Sequence, residues 1–326
     1  MASNGHEIYA DGYAELPDLN RRIIELLQVD GRMSFRQIAS AMGVSEKTIR
    51  HRVAGLREEN VIEITAVTRP ELLSYTGLAT VACRISNLSS VADAAAVLSE
   101  HAMVDYVAVV AGRFQIFIEV YARDRKELLA FLDGELGPMQ AIESYEVFPY
   151  IDLLYQQGLT PDPGTGLPDS STPPNLDRLD FRLIQQLTVD GRIPVRTMAR
   201  ELEVSEAKVR HRLRGLIDRD LVRVTAIVNP MAVGLRTAAW VRIRVRPGSG
   251  VRRVARLLVD LPSVTYVVIC GGAADIFVEV VCSDLAEFGR IVDDELLGNP
   301  GIDELESFLY LELHHKRPRY ELTSVA

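Results

Sequence analysis

The sequence predicts an α+β protein built as two tandem copies of one two-part unit, on three observations. The chain repeats itself without a gap: Val29-Asp30-Gly31-Arg32 returns as Val189-Asp190-Gly191-Arg192, an offset of 160 residues. The same offset carries Val44-Ser45-Glu46 to Val204-Ser205-Glu206, Arg50-His51-Arg52 to Arg210-His211-Arg212, Tyr106 to Tyr266, Glu119 to Glu279 and Phe148 to Phe308. Within each copy, helical periodicity comes first and strand-like alternation follows. Between the copies lies a Pro-, Gly- and Ser-rich stretch, Gln156 to Asn175, with the composition of a linker. A repeat this long exceeds the roughly 20–50 residues of a solenoid unit, so what is duplicated is a whole multi-domain module.

Composition narrows the class. With 326 residues, 48% apolar and 25% charged, the chain fits several ordinary soluble domains. No apolar run approaches the 18 or so residues of a membrane span, and Met1-Ala2-Ser3-Asn4-Gly5-His6 lacks a signal-peptide pattern, so a cytoplasmic location without membrane contact is expected. Cys83, Cys270 and Cys282 lie in apolar strand-like runs without CxxC spacing and read as buried free thiols; no metal site and no cofactor is expected. A net charge of −9 argues against indiscriminate nucleic-acid binding but leaves room for a local basic face.

Taken in order, residues 1–17 read as a polar, aperiodic tail. Leu19, Ile23, Ile24 and Leu27 make one apolar face of a first helix, matched by Leu179, Leu183, Ile184 and Leu187. Ser34 to Gly43 reads as a second helix whose glycine suits a left-handed C-terminus. Ser45 offers an N-cap to a third helix that turns Ile49, Val53 and Leu56 inward. Together they form a helix-turn-helix pattern. Val61 to Val67 then alternates like a wing strand, closing a first domain at 18–72, with its copy at 177–232. Copy two has Glu203 where copy one has Gly43, which predicts a rearranged second turn, since a side chain in left-handed backbone costs about 1 kcal/mol.

The rest of each copy, 77–155 and 237–316, reads β-α-β-β-α-β, the ferredoxin-like order. Strands are expected near Leu78–Ile85, Val104–Val110, Phe114–Tyr121 and Ile142–Tyr150, with helices at Ser89–His101 and Asp124–Leu136. The second set lies near Ala238–Val245, Val264–Cys270, Ile276–Val281 and Leu305–Glu312. Both helices cover one sheet face, and Val107, Val109, Ile116 and Ile118 suggest that another sheet covers the other. A linker at 156–176 and a tail at 317–326 complete the chain.

Leu19–Ile62, with Asp30-Gly31-Arg32, the Ile38-Ala39…Gly43-Val44-Ser45 turn and Arg50-His51-Arg52-Val53…Leu56, resembles the Lrp/AsnC (feast/famine) family of transcription regulators. The βαββαβ segment resembles that family's effector-binding and oligomerisation domain. The resemblance spans nearly everything but tails and linker. It implies double-stranded DNA as partner, small effectors, commonly amino acids, and homo-oligomers assembled through their sheets. One unit per chain is the family's ordinary pattern, so this chain is a tandem fusion whose halves are expected to pair as an intra-chain pseudo-dimer.

The third helix carries the candidate DNA contacts. With Ile49 at the centre of the inward face, Lys47, His51 and Ala54 point away and Arg50 lies to one flank. Copy two exposes Ala207, Lys208, Arg210, His211 and Arg214. Four Lys/Arg face three Glu over Ser45–Glu59, and five face two acids over Ser205–Arg219, a local basic excess on an acidic chain. The candidates are Ser45, Lys47, Thr48, Arg50, His51 and Arg52, with Ser205, Lys208, Arg210, His211, Arg212 and Arg214; a solvated charged helix is the bland alternative. Arg52 and Arg212, near the inward edge, either pack along the helix or reach phosphate. His51 and His211 lack a second ligand at metal spacing. The copies differ at Lys47/Ala207, Thr48/Lys208 and Ala54/Arg214, which predicts unequal half-sites.

The family's effector loop, between the second and third strands, follows a Gly-x-x-Asp pattern. Copy two retains it as Gly271-Gly272-Ala273-Ala274-Asp275, where Asp275 suits an amino group and the backbone amides of Gly271 and Gly272 suit a carboxylate. Copy one reads Ala111-Gly112-Arg113-Phe114-Gln115, without the carboxylate. A hairpin turn that needs glycine explains Gly112 alone; Gly112, Arg113 and Gln115 are therefore structural or meet another ligand. An enzyme of the siroheme decarboxylase kind is the alternative on the same scaffold. Its pocket motifs are missing: His101 and His314-His315 are the few histidines near the sensor segments, and no catalytic constellation stands out. A sensor without DNA binding is the third reading. No enzyme activity is expected.

Overall fold

A computed structural model describes residues 16–156, 176–233 and 235–315. The linker and both tails expected from the sequence lie almost wholly outside these described residues. The first copy runs α1 (Asp18–Val29), α2 (Phe35–Met42), α3 (Glu46–Glu58), β1 (Ile62–Val67), β2 (Gly77–Ile85), α4 (Val91–Glu100), β3 (Val104–Val110), β4 (Ile116–Ala122), α5 (Arg125–Phe131) and β5 (Ile142–Gln156). The second repeats it as α6 (Arg178–Val189), α7 (Val195–Glu201), α8 (Glu206–Asp218), β6 (Arg223–Val228), β7 (Thr237–Val245), α9 (Val251–Val259), β8 (Val264–Cys270), β9 (Ile276–Cys282), α10 (Leu285–Arg290) and β10 (Ile302–His315). Two compact units result, and each copy contributes to both. Among the described residues, one unit takes those up to Leu73 and from 176 to Leu235; the other takes the remainder.

In the helical unit, Ile23, Ile24, Leu27, Ile38, Ile49, Val53 and Leu56 are buried as their spacing requires, and so are Leu183, Ile184, Leu187, Met198, Val209, Leu213 and Leu216. Burying each such side chain contributes roughly 1.5–3 kcal/mol. Ser34 caps α2 through a capping box with Gln37, and Gly43 closes it in left-handed backbone (φ 67°). The second turn is not rearranged as expected from sequence. Glu203 itself takes the left-handed conformation (φ 55°) one turn before α8.

The strand expected as a wing belongs to a pair formed between copies. β1 runs antiparallel to β6, with Ile62 opposite Val228 and Thr65 opposite its own repeat, Thr225, so a local twofold axis passes through that pair. β1 lies against α6 of the other copy and β6 against α1. The bonds are reciprocal. Thr65 Oγ1 donates to Thr188 O and Thr225 Oγ1 to Gln28 O, both at 2.9 Å. Gly31 N donates to Val224 O and Gly191 N to Ile64 O. Arg32 forks onto Gly191 O (2.7 Å) and Ile193 O (3.1 Å), and Arg192 onto Gly31 O (2.7 Å) and Met33 O (3.0 Å). A Cβ on Gly31 would stand 2.9 Å from Val224 O, and one on Gly191 2.9 Å from Ile64 O, so the repeated Asp-Gly-Arg needs its glycine for this backbone approach.

The second unit is an eight-stranded closed barrel in the order β10-β3-β4-β2-β5-β8-β9-β7. Each copy supplies the antiparallel four-strand ferredoxin-like sheet, and β5 and β10 join the two by crossing to β8 and β3 of the other copy. Another sheet does cover the open face, but through different residues from those expected. Val107, Val109, Ile116 and Ile118 pack towards the helices, whereas Ala108, Val110, Phe114, Phe117 and Phe148 meet Trp240, Tyr266, Phe277 and Phe308 between the sheets. Cys83, Cys270 and Cys282 are free and buried, and burial pushes each thiol up to about 12. No helix among the described residues is long and apolar enough to cross a membrane, and among them no acid, His or Cys cluster suits a metal ion.

Candidate nucleic-acid interface and effector loops

α3 and α8 begin alike. Ser45 Oγ accepts from Thr48 N (3.1 Å) and Ser205 Oγ from Lys208 N (3.2 Å), so both serines satisfy helix ends. Lys47, Arg50, His51 and Arg52 on α3 are exposed, as are Lys208, Arg210, His211 and Arg214 on α8. Thr48 is half-buried, its hydroxyl 2.8 Å from Ser45 Oγ. Arg50 pairs with Glu46 at 2.8 Å and lies over the Phe35 ring, and Arg210 pairs with Glu206. Such exposed pairs are weak, about 0.3–0.5 kcal/mol, and leave both arginines available. Arg212 stands apart: it is half-buried, donating to Asp177 Oδ2 (2.6 Å) and Asp180 Oδ2 (3.2 Å). Burial opposes the charge on Asp177, but the Asp180 backbone N–H and the Arg212 guanidinium hold its carboxyl below the usual range.

The loops between the central strands are built as matching turns. Gly112 (φ 145°) and Gly272 (φ 102°) hold positive-φ backbone. Asp275 Oδ2 accepts from Val245 N (2.8 Å) with Oδ1 3.5 Å from Arg244 Nη1, and at the same position Gln115 Oε1 accepts from Ile85 N (2.9 Å). Residues 115 and 275 thus share one backbone-tying task, and Asp275 adds a half-exposed negative charge. A Cβ on Gly271 would stand 3.9 Å from Ile151 Cδ1, an ordinary contact, so no close approach demands glycine there. Arg113 bridges Glu146 and Glu306, both at 2.9 Å. Burial works against its charge, and those two carboxylates raise it above its ordinary value.

Sequence reasoning missed a polar cluster between the sheets. Glu119 accepts from Tyr150 (2.7 Å) and Tyr266, while Glu279 accepts from Tyr106 (2.6 Å), Tyr310 (2.8 Å) and Thr265 (2.5 Å). Thus each glutamate takes a hydroxyl from each copy. Asp105, at a break in the β3–β4 register beside Glu119, is buried with Oδ1 unpartnered. Burial, then the Glu119 charge, pushes its carboxyl well above the usual range. Burial likewise raises Glu119, with the Tyr266 and Tyr150 hydroxyls opposing it. One signal was present in sequence: a lone Glu in the middle of Ile116-Phe117-Ile118-Glu119-Val120 and of Ile276-Phe277-Val278-Glu279-Val280.

The chain matches the AsnC-type helix-turn-helix domain at residues 16–57 and again at 176–217, and the Lrp/AsnC ligand binding domain at 238–320. It is 32% identical over 132 residues to an uncharacterised HTH-type transcriptional regulator of Pyrococcus abyssi, covering 40% of this chain and 88% of that one. It is also 32% identical over 129 residues to the HTH-type transcriptional regulator FL11 of Pyrococcus furiosus, covering 39% and 84%. In fold alone it is similar to the siroheme decarboxylase NirDL, with a TM-score of 0.63 at 14% identity over 92% of this chain and 93% of that one. On these matches, and on a fold in which each copy exchanges strands with the other, the chain belongs to the Lrp/AsnC family of transcriptional regulators and carries that family's unit twice in tandem.

Proposed function

We propose that the protein binds specific double-stranded DNA through α3 and α8 and that a small effector, an amino acid or related metabolite, modulates that binding. The observation that carries this reading is the Thr65–Thr225 axis. Two capped helices with exposed basic faces are related by a local twofold built into one chain, the arrangement that suits a palindromic operator. Ser45, Lys47, Thr48, Arg50, His51 and Arg52 would serve one half-site, and Ser205, Lys208, Arg210, His211 and Arg214 the other, while Arg212 is engaged by Asp177 and Asp180. Because the two outward faces differ, the preferred site is an imperfect palindrome.

On the effector side, the half-exposed Asp275 with Gly271 and Gly272 is the better placed of the two loops. Gly112, Arg113 and Gln115 are engaged in ion pairs and backbone ties and take the structural role. A thermal-shift screen of amino acids against the full chain, followed by footprinting with and without the hit, tests both halves of the reading. Calorimetry of Asp275→Ala is expected to show weakened binding of the hit; unchanged affinity removes that residue from the site. Further assembly of whole chains, to dimers or tetramers, is expected by sedimentation. The likeness of fold to a siroheme decarboxylase supports an enzymatic second reading, and an absorbance scan after incubation with siroheme separates the two.

A further inference from the structure

We propose that the two reading heads grip DNA by different means: Arg52 of the first contacts a phosphate, whereas Arg212 of the second is an internal clamp withdrawn from DNA. The inference rests on the DNA-binding reading above and divides its labour. Arg52 and Arg212 are the same position of the repeat, on α3 and α8, yet their surroundings differ in charge. Arg212 reaches Asp177 at 2.6 Å and Asp180 at 3.2 Å. Those two carboxylates are themselves fixed, because Asp177 caps α6 by accepting from Leu179 N and Asp180 N, and Asp180 is buried. Arg212 is accordingly half-buried, pinned across its own domain.

In the first copy the positions of Asp177 and Asp180 are held by Pro17 and Asn20. Pro17 precedes α1 without a side-chain cap, and the Asn20 amide oxygen is buried with no hydrogen-bond partner. Neither residue offers a carboxylate, and Arg52 is exposed on the reading helix. A guanidinium released from its internal acids, on the helix that faces the duplex, matches the bidentate geometry of a phosphate. In the second head that task falls to Lys208 and Arg214, which stand where the first copy has Thr48 and Ala54. The basic residues are thus redistributed rather than duplicated.

Salt titration of DNA binding separates the two arginines, because each neutralised phosphate adds about 0.9 to the slope of log affinity against log salt. The full chain is titrated by fluorescence anisotropy against a random-sequence duplex pool, beside Arg52→Ala, Arg212→Ala and Asn20→Asp. Arg52→Ala is expected to bind about tenfold more weakly with a slope lower by about one, while Arg212→Ala keeps the parent slope and loses thermal stability. Asn20→Asp, which gives Arg52 a carboxylate and keeps the fold, is expected to lower the slope as Arg52→Ala does. If Arg212→Ala fails to fold, Asn20→Asp against the parent decides. Equal loss of slope for the two arginine variants, or an unchanged slope for Asn20→Asp, overturns the division of labour while leaving DNA binding intact. A parent chain whose duplex binding shows no salt dependence overturns the reading beneath it as well.

Discussion

Asp105 shows how one side chain sets a pH dependence. Its buried carboxyl, next to Glu119 and with Oδ1 unpartnered, is held neutral well above the ordinary range by burial and by the neighbouring charge. A folded-state value raised above the unfolded one contributes stability that is complete below the unfolded value. That contribution is lost as pH rises through the folded value. Asp105→Asn, which keeps a neutral group of the same shape, is therefore expected to raise the melting temperature relative to the parent by an amount that grows from about pH 4 upward. Thermal melts across pH check this; a parallel pair of curves contradicts it. Glu203 carries the second residue-scale prediction. Its left-handed backbone is the conformation Gly43 adopts at the same turn, and a Cβ there costs about 1 kcal/mol. Glu203→Gly is expected to stabilise by about that amount in chemical denaturation.

Between elements, the β1–β6 ribbon and the reciprocal arginine forks hold the two helix-turn-helix domains together. Arg32→Ala leaves the carbonyls of Gly191 and Ile193 without their donors, at a cost of about 1–3 kcal/mol measured by urea unfolding. Arg32→Lys is expected to recover only part of this, since an ammonium cannot fork to both carbonyls. The elements themselves were largely legible in the sequence. β3 and β8 fall where the apolar runs place them, and the caps Ser45 and Ser205 act as read. The ends of β5 and β10 were not legible. Pro149 signals a break, yet it lies just before a register shift at Tyr150, beyond which Leu153 and Tyr155 join the other copy's sheet. Face assignment failed for a related reason: both faces of β3 and β4 are buried, so Val107 and Ala108 are equally apolar and no alternation distinguishes them. Strand exchange depends on pairings far apart in sequence, such as Gln156 with Tyr266 and His315 with Tyr106, which no local pattern encodes. α3 and α8 were legible as exposed basic surfaces, but the clamp on Arg212 was not, because Asp177 and Asp180 lie 35 and 32 residues earlier, at the start of another helix of the same domain.

For the whole molecule, duplication makes the pseudo-dimer intramolecular, and its two halves have since become unequal: Asp275 against Gln115, Asp177 and Asp180 against Pro17 and Asn20. A symmetric dimer of identical chains cannot hold such differences; a fused one can assign them to separate tasks. Central to the account is a pair of DNA-reading helices related by an axis inside one chain, and site selection from a random duplex pool followed by hydroxyl-radical footprinting tests it most directly. An imperfect inverted repeat is expected, with two protected half-sites one helical turn, roughly 10–10.5 bp, apart. Recovery of a single half-site, a direct repeat or no selected sequence would contradict it.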